Sequence, residues 1–180
     1  CMQPHLVYLA NSSGIKVGLT QQGRQQQRWL AQGATQGLVI ARANTRRDAG
    51  VLEAMIAQTI SDRTPWRKLV SQPPVAINLH SVFEQLQRQI FLPEDCQWAE
   101  GEAEHRLTYP VAAYAPPIQQ SLNEKTPTLA DNLRGIKGQY LLMQTGAFNV
   151  SRHVGITLAV EVTPQYSSTR SGNYGQIPLF

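Results

Sequence analysis

Two short apolar runs, Val7-Tyr8-Leu9 and Ile15-Lys16-Val17-Gly18, flank the turn-rich stretch Asn11-Ser12-Ser13-Gly14. Strand-forming residues on either side of an Asn/Ser/Gly turn dictate a β-hairpin over residues 5–19. The segments after the hairpin narrow the fold further. Thr20 offers an N-cap, and Gln21 to Ala31 reads as a helix of good formers with Gly23 as its weak point and Gly33 as its stop. Residues 37–43 (GLVIARA) read as a third strand. Asn44 or Thr45 caps a second helix, running to about Ser61, whose Val51, Leu52, Met55, Ile56 and Ile60 fall on one face at helical spacing. The first half of the chain is therefore a small α/β unit.

A short helix is expected at Trp66–Val70 after Pro65. After Pro73-Pro74, Asn78 or Ser81 starts an amphipathic helix that turns Val82, Phe83, Leu86 and Ile90 inward and ends before Pro93. Beyond an acidic stretch the texture changes. Residues 109–114, 139–143, 147–150 and 156–162 read as short strands between prolines and glycines, which suggests a small β-barrel or curled sheet. Gly135-Ile136-Lys137-Gly138 reads as a β-turn. The fold class expected is α+β. An α/β domain over 1–95 is followed by an acidic linker at 96–102, a β-rich, barrel-like domain at 103–163, and a tail at 164–180 without periodicity.

The bulk numbers exclude several classes. With 42% hydrophobic and 16% charged residues the chain is globular material rather than a disordered polymer. No run approaches a membrane span, and no charged-then-apolar leader is present. Two cysteines, Cys1 and Cys96, are too few for a disulfide framework, so a reducing, cytoplasmic setting is expected. Cys1 stands where a native chain has Met. It is a plain thiol at a fragment boundary, a lipid-bearing residue, or the last ligand of an upstream zinc site.

The net charge of +4 is unevenly spread. Residues 1–83 hold nine basic and three acidic side chains, whereas 84–104 hold one basic and six acidic. A basic first half points to a polyanionic partner, DNA or RNA. Arg24, Arg42, Arg46 and Arg47 beside Lys16 and Arg28 are candidates for a phosphate-tracking groove, with Lys137 extending it onto the second half. Neither a GxSxG, a P-loop nor a CxxC motif competes, and His5, His80, His105 and His153 show no zinc spacing. Tyr8 as a core aromatic, Arg28 and Glu53 as a structural ion pair, and Trp29 and Trp66 as core anchors are the plain alternatives.

The order tyrosine strand, glycine-ended strand, arginine helix, glutamate helix resembles the GIY-YIG nuclease superfamily. "VYL" at 7–9 sits at its first motif, "KVG" at 16–18 at its second, Arg28 on its first helix and Glu53 of "GVLEAMI" on a later one. That likeness covers about residues 5–95. "QRWLAQGA", "DRTPW" and "GIKGQYLL" extend a resemblance over most of residues 5–155 to a bacterial family of unknown function with a GIY-YIG-like half. The resemblance implies a phosphodiester-cutting site in which Tyr8 stands near the attacking water, Arg28 on the phosphate oxygens and Glu53 as the ligand of Mg²⁺ or Mn²⁺. Lys16 takes the place where the second motif usually begins with tyrosine. A scaffold that binds nucleic acid without cutting it, or a structural interaction protein, is the alternative.

The chain ends in "QIPLF". Gln176, Ile177, Leu179 and Phe180 match a pentapeptide similar to the one with which bacterial replication and repair proteins dock on the DNA sliding clamp. The expected partners are thus DNA or RNA and a sliding clamp, with no membrane. The alternative is that this apolar end packs on its own domain.

Overall fold

The computed structural model describes residues 3–61 and 63–162. A mixed α/β arrangement is built on two small sheets. The hairpin forms as expected, from β1 (His5–Asn11) and β2 (Ile15–Gln21), with Tyr8 opposite Gly18. β1 is central: it pairs antiparallel with β2 on one side and with β3 (Gln36–Ala43) on the other, and all seven of its residues are buried. The register between β1 and β3 shifts at Val7/Tyr8, a bulge-like irregularity in mid-strand.

Successive side chains on a strand point to opposite faces, and the two faces of β1 find different partners. Val7 and Leu9 join Leu38, Ile40, Leu52, Ile56, Phe83 and Leu86 in the larger core. Leu6, Tyr8 and Ala10 pack with Trp29, Ala34, Val39 and Ala99 in a smaller one. Helix α1 (Gln25–Ala31) therefore covers one face, and α2 (Arg46–Ile56) and α4 (Leu79–Gln89) cover the other. Each fully buried Leu or Ile here contributes about 1.5–3 kcal/mol by leaving water.

The helix starts follow local chemistry. Thr45 caps α2 through a capping box: its Oγ1 accepts from the Asp48 N–H, and the Asp48 carboxylate accepts from the Thr45 N–H. Asn78 caps α4 through the Ser81 N–H at 3.0 Å. The first helix departs from expectation. Thr20 is not its cap but a β2 residue paired with Leu6. Gly23 takes φ +84°, a turn conformation open to glycine, and the helix begins only at Gln25. α2 ends at Ile56, short of Ser61.

Between α3 (Trp66–Ser71) and α4 the chain crosses the sheet with two prolines, and a buried amide pair secures it. Asn11 Nδ2 donates to Gln36 Oε1 at 2.7 Å and to the Val75 carbonyl at 2.8 Å; Gln36 Nε2 donates to the Ile77 carbonyl at 2.7 Å. The 96–102 stretch, expected as a linker, contributes β4 (Cys96–Trp98), which pairs with β3; β5 (His105–Arg106) pairs with β3 as well. One carboxylate on this stretch, Glu102, pairs with Arg42.

The second sheet runs β6 (Gln119–Gln120), β9 (Ala147–Asn149), β8 (Tyr140–Met143), β7 (Leu133–Lys137). Among the described residues it is an open sheet and not a closed barrel. The β7–β8 hairpin turns at Gly138, φ +58°. Residues 156–162, expected as a strand, are unpaired and exposed, with Val160 82% and Val162 84% accessible. Alternating apolar residues need a free edge to pair with. The β7 edge is already taken by 110–113, through the Ile136 N–H to Pro110 O at 3.0 Å and the Ala112 N–H to Arg134 O at 2.8 Å. For the same reason 109–114 is only a bridge, Val111 to Gly135, rather than a strand.

Candidate functional site

A polar cleft of about 670 Å³ runs along the edge strand β2, between α1 and α2. Tyr8, Lys16, Arg28 and Glu53, four residues spread over 46 positions of sequence, all line it, and so do Arg24 and Arg46. The fold explains the meeting. β1 and β2 carry Tyr8 and Lys16 on adjacent strands, α1 brings Arg28 over one face, and α2 brings Glu53 from the other side.

Tyr8 is fully buried and forms part of the cleft's inner wall. Its ring meets Trp29 edge-on at 5.8 Å, and its hydroxyl accepts a hydrogen bond from Gln32 Nε2 at 2.9 Å. Gly18 gives the phenol its room. A Cβ at Gly18 would lie 2.5 Å from the Tyr8 oxygen. Burial raises the Tyr8 pKa, opposed by the Gln32 hydrogen bond and the Arg28 guanidinium, while the Glu53 charge adds to the rise. The phenol is therefore neutral at physiological pH, a hydrogen-bonding group rather than one that takes a proton outright.

Lys16 is 8% exposed, and its ammonium donates to Thr64 Oγ1 at 3.2 Å. Lys16 thus brings a cation to the cleft wall. Arg24 and Arg28 stand one helical turn apart and are exposed, as is Arg46 at the start of α2. Among the described residues, four basic side chains thus share the cleft with one carboxylate, Glu53. A single carboxylate on a wet wall suits Mg²⁺ or Mn²⁺, which are satisfied by one or two carboxylates and keep their waters. It does not suit zinc, which takes several N or S ligands. Among the described residues no three His, Cys, Asp or Glu side chains are grouped for a metal.

The other expected site residues lie elsewhere. Arg42 pairs with Glu102 away from the cleft. Arg47 is exposed on α2 but not part of the lining. Lys137 is 1% exposed, so it cannot present its charge to a nucleic acid; its ammonium donates to the Leu69 carbonyl at 3.4 Å and sits 5.1 Å from the Tyr114 ring centroid. His153 is buried too. Its Nε2 accepts from the Leu122 N–H at 3.1 Å, and its Nδ1 lies 2.9 Å from the Asn149 carbonyl. Cys1, Gln176, Ile177, Leu179 and Phe180 lie outside the described residues.

Gln32 and His5 are two of the lining residues that the sequence did not mark as part of a site. His5 is 6% exposed and forms part of the cleft wall. For Gln32 a signal existed: Arg24, Arg28 and Gln32 recur every four residues, one stripe along a helix face and its C-cap.

The model of one family matches residues 1–158 of the 180. The chain belongs to that family, described as Protein of unknown function (DUF2797). No curated protein and no solved structure matches the chain. All the cleft residues of this DUF2797 chain fall inside the matched span. Among the described residues no helix is long and apolar enough to cross a membrane.

Proposed function

We propose that the cleft is a phosphodiester site and that the protein processes nucleic acid, cutting the backbone with a divalent cation held at Glu53. One observation carries the proposal: Tyr8, Lys16, Arg28 and Glu53, singled out by a likeness to GIY-YIG nucleases, line a single cation-rich cleft. Arg24, Arg28 and Arg46 hold phosphate oxygens, with arginine forks matching phosphate geometry. Lys16 adds a fixed point charge. The neutral Tyr8 phenol orients the attacking water, and Gln32 holds the phenol. When bound, Mg²⁺ or Mn²⁺ supplies an activated water and charge opposite the phosphate.

The second reading, binding without cutting, rests on Lys16. A buried ammonium held by Thr64 does not replace the hydrogen bonding of a tyrosine hydroxyl. One assay separates the two: incubation with labelled single-stranded, duplex and branched DNA and RNA, with Mg²⁺, with Mn²⁺ and with EDTA. Metal-dependent cutting is expected, lowered about 10²–10³-fold in Arg28→Ala, lost in Glu53→Ala and unchanged in Arg42→Ala. Salt-sensitive binding without cutting establishes the second reading, and absence of both removes the cleft from consideration. The terminal Gln176-Ile177-Pro178-Leu179-Phe180 adds delivery by a sliding clamp to the proposal. Calorimetry with a bacterial clamp tests it, with binding expected and its loss in a Leu179→Ala/Phe180→Ala double variant.

A further inference from the structure

Lys16 ties the cleft wall to the segment that leads into α3. The Lys16 ammonium holds Thr64 Oγ1 at 3.2 Å, and the Ser13 hydroxyl donates to the next residue's carbonyl, Pro65 O, at 3.3 Å. Two residues beyond Thr64, at most about 7 Å of chain, stands Trp66. Its ring lies 10° from parallel to that of Tyr140 on β8, with centroids 6.2 Å apart. The Arg67 guanidinium carbon lies 4.9 Å from the Trp66 ring centroid. Trp66 and Tyr140 are each half-buried, whereas Arg67 and Lys68 are exposed.

Packing accounts for part of this. Trp66 and Tyr140 border the small core of Val70, Ala115, Leu142 and Ala147. It does not account for what stands around them. Two rings keep part of their surface in water, with the Arg67 guanidinium against one of them, two residues of chain from the threonine that the cleft lysine holds. Aromatic rings interleaved with Arg and Lys are the chemistry by which proteins hold unpaired bases: each base offers a π-face, and each guanidinium either stacks or takes a phosphate.

We propose that Trp66, Tyr140 and Arg67 form a stacking platform for the bases of a single-stranded nucleic acid whose backbone occupies the cleft. The proposal rests on the cleft being a phosphodiester site and names its substrate class. Bases in a duplex are already stacked on each other and leave no face for the platform. Single strands, or the unpaired arm of a junction, are thus preferred over blunt duplex.

The test measures binding by fluorescence anisotropy, without divalent metal. Three ligands are compared: a short labelled oligothymidylate, the same strand with abasic sites throughout, and a blunt duplex of equal length. The wild-type protein is expected to bind the abasic strand and the duplex at least about five-fold more weakly than the oligothymidylate. Tyr140→Leu is expected to lose that factor on the base-bearing strand and nothing on the abasic one. Arg28→Ala is expected to weaken all three. Using the abasic strand on wild-type protein keeps the result independent of how well any variant folds. Equal binding of abasic and base-bearing strands, or duplex binding as tight as single strand, overturns the platform; the cleft reading survives it if Arg28→Ala still weakens binding. If none of the three ligands binds, the cleft reading fails and the platform with it. Running oligouridylate alongside separates RNA from DNA as the natural strand.

Discussion

Tyr8 and Gly18 form a single feature on two strands. The strand register puts them opposite each other, and the absent Cβ of Gly18 is the space in which the Tyr8 hydroxyl sits. Gly18→Ala places a methyl carbon 2.5 Å from that oxygen, so either the phenol leaves its seat or the strands part. Overpacking of this kind costs about 1–3 kcal/mol. Urea melts are expected to show that loss, and the Tyr8 ring resonances are expected to shift. An unchanged melt with unshifted Tyr8 signals contradicts this. The tyrosine and the glycine stood out in the chain through the resemblance carried by VYL and KVG. Gln32, which holds the same hydroxyl, was not: a glutamine at a helix end looks like any solvated glutamine until the strand beneath it is known. Lys137 failed in the opposite way. A lysine between two glycines reads as a surface turn, and only the docking of its hairpin onto another element buries it.

That docking is the main event at the scale of elements. The β7–β8 hairpin presses against the end of α1 and against α3. A Cβ at Gly138 would lie 2.7 Å from the Gly33 nitrogen, and the Ala115 N–H donates to the Val70 carbonyl at 2.9 Å. The Tyr109 hydroxyl donates to the Ala34 carbonyl at 2.9 Å, just past the α1 terminus. The same contact surface confines the Lys137 ammonium, and burial lowers its pKa from 10.5 to about 8. A lysine whose pKa is lower in the folded state weakens the fold while it is charged. Its contribution is fully restored above about 10.5 and lost as pH falls through about 8. Lys137→Met is therefore expected to be more stable than the parent at pH 7, with the gap closing as the pH rises from 8 toward 10. Thermal melts across that window check it, and a gap independent of pH contradicts it. Helix periodicity made α2 and α4 readable, because a face of Leu, Ile and Phe needs only one partner to bury it. The strands after residue 100 were less readable. Whether 156–162 pairs depends on an edge being free, and no local pattern records that residues 110–113 occupy it.

For the whole molecule, the lopsided charge found in the chain becomes a placed feature. Some of the basic residues of the first half are neutralised where they stand, as Arg42 is by Glu102. Arg24, Arg28 and Arg46 gather with Lys16 around one cleft, next to the Glu53 carboxylate. The counts alone pointed to a polyanionic partner but not to where it binds; that needed the sheet, which brings α1 and α2 to opposite sides of β2. The measurement that tests this most directly is the salt dependence of binding to a single-stranded oligonucleotide, for the wild type and for Arg24→Ala, Arg28→Ala, Arg46→Ala and the exposed control Arg47→Ala. Each phosphate contact contributes about −0.7 to the slope of log K against log salt on a single strand. The account predicts a steep wild-type slope, shallower by about 0.7 in each of the three cleft variants and unchanged in Arg47→Ala. A flat wild-type slope, or one that the three cleft substitutions leave untouched, contradicts it.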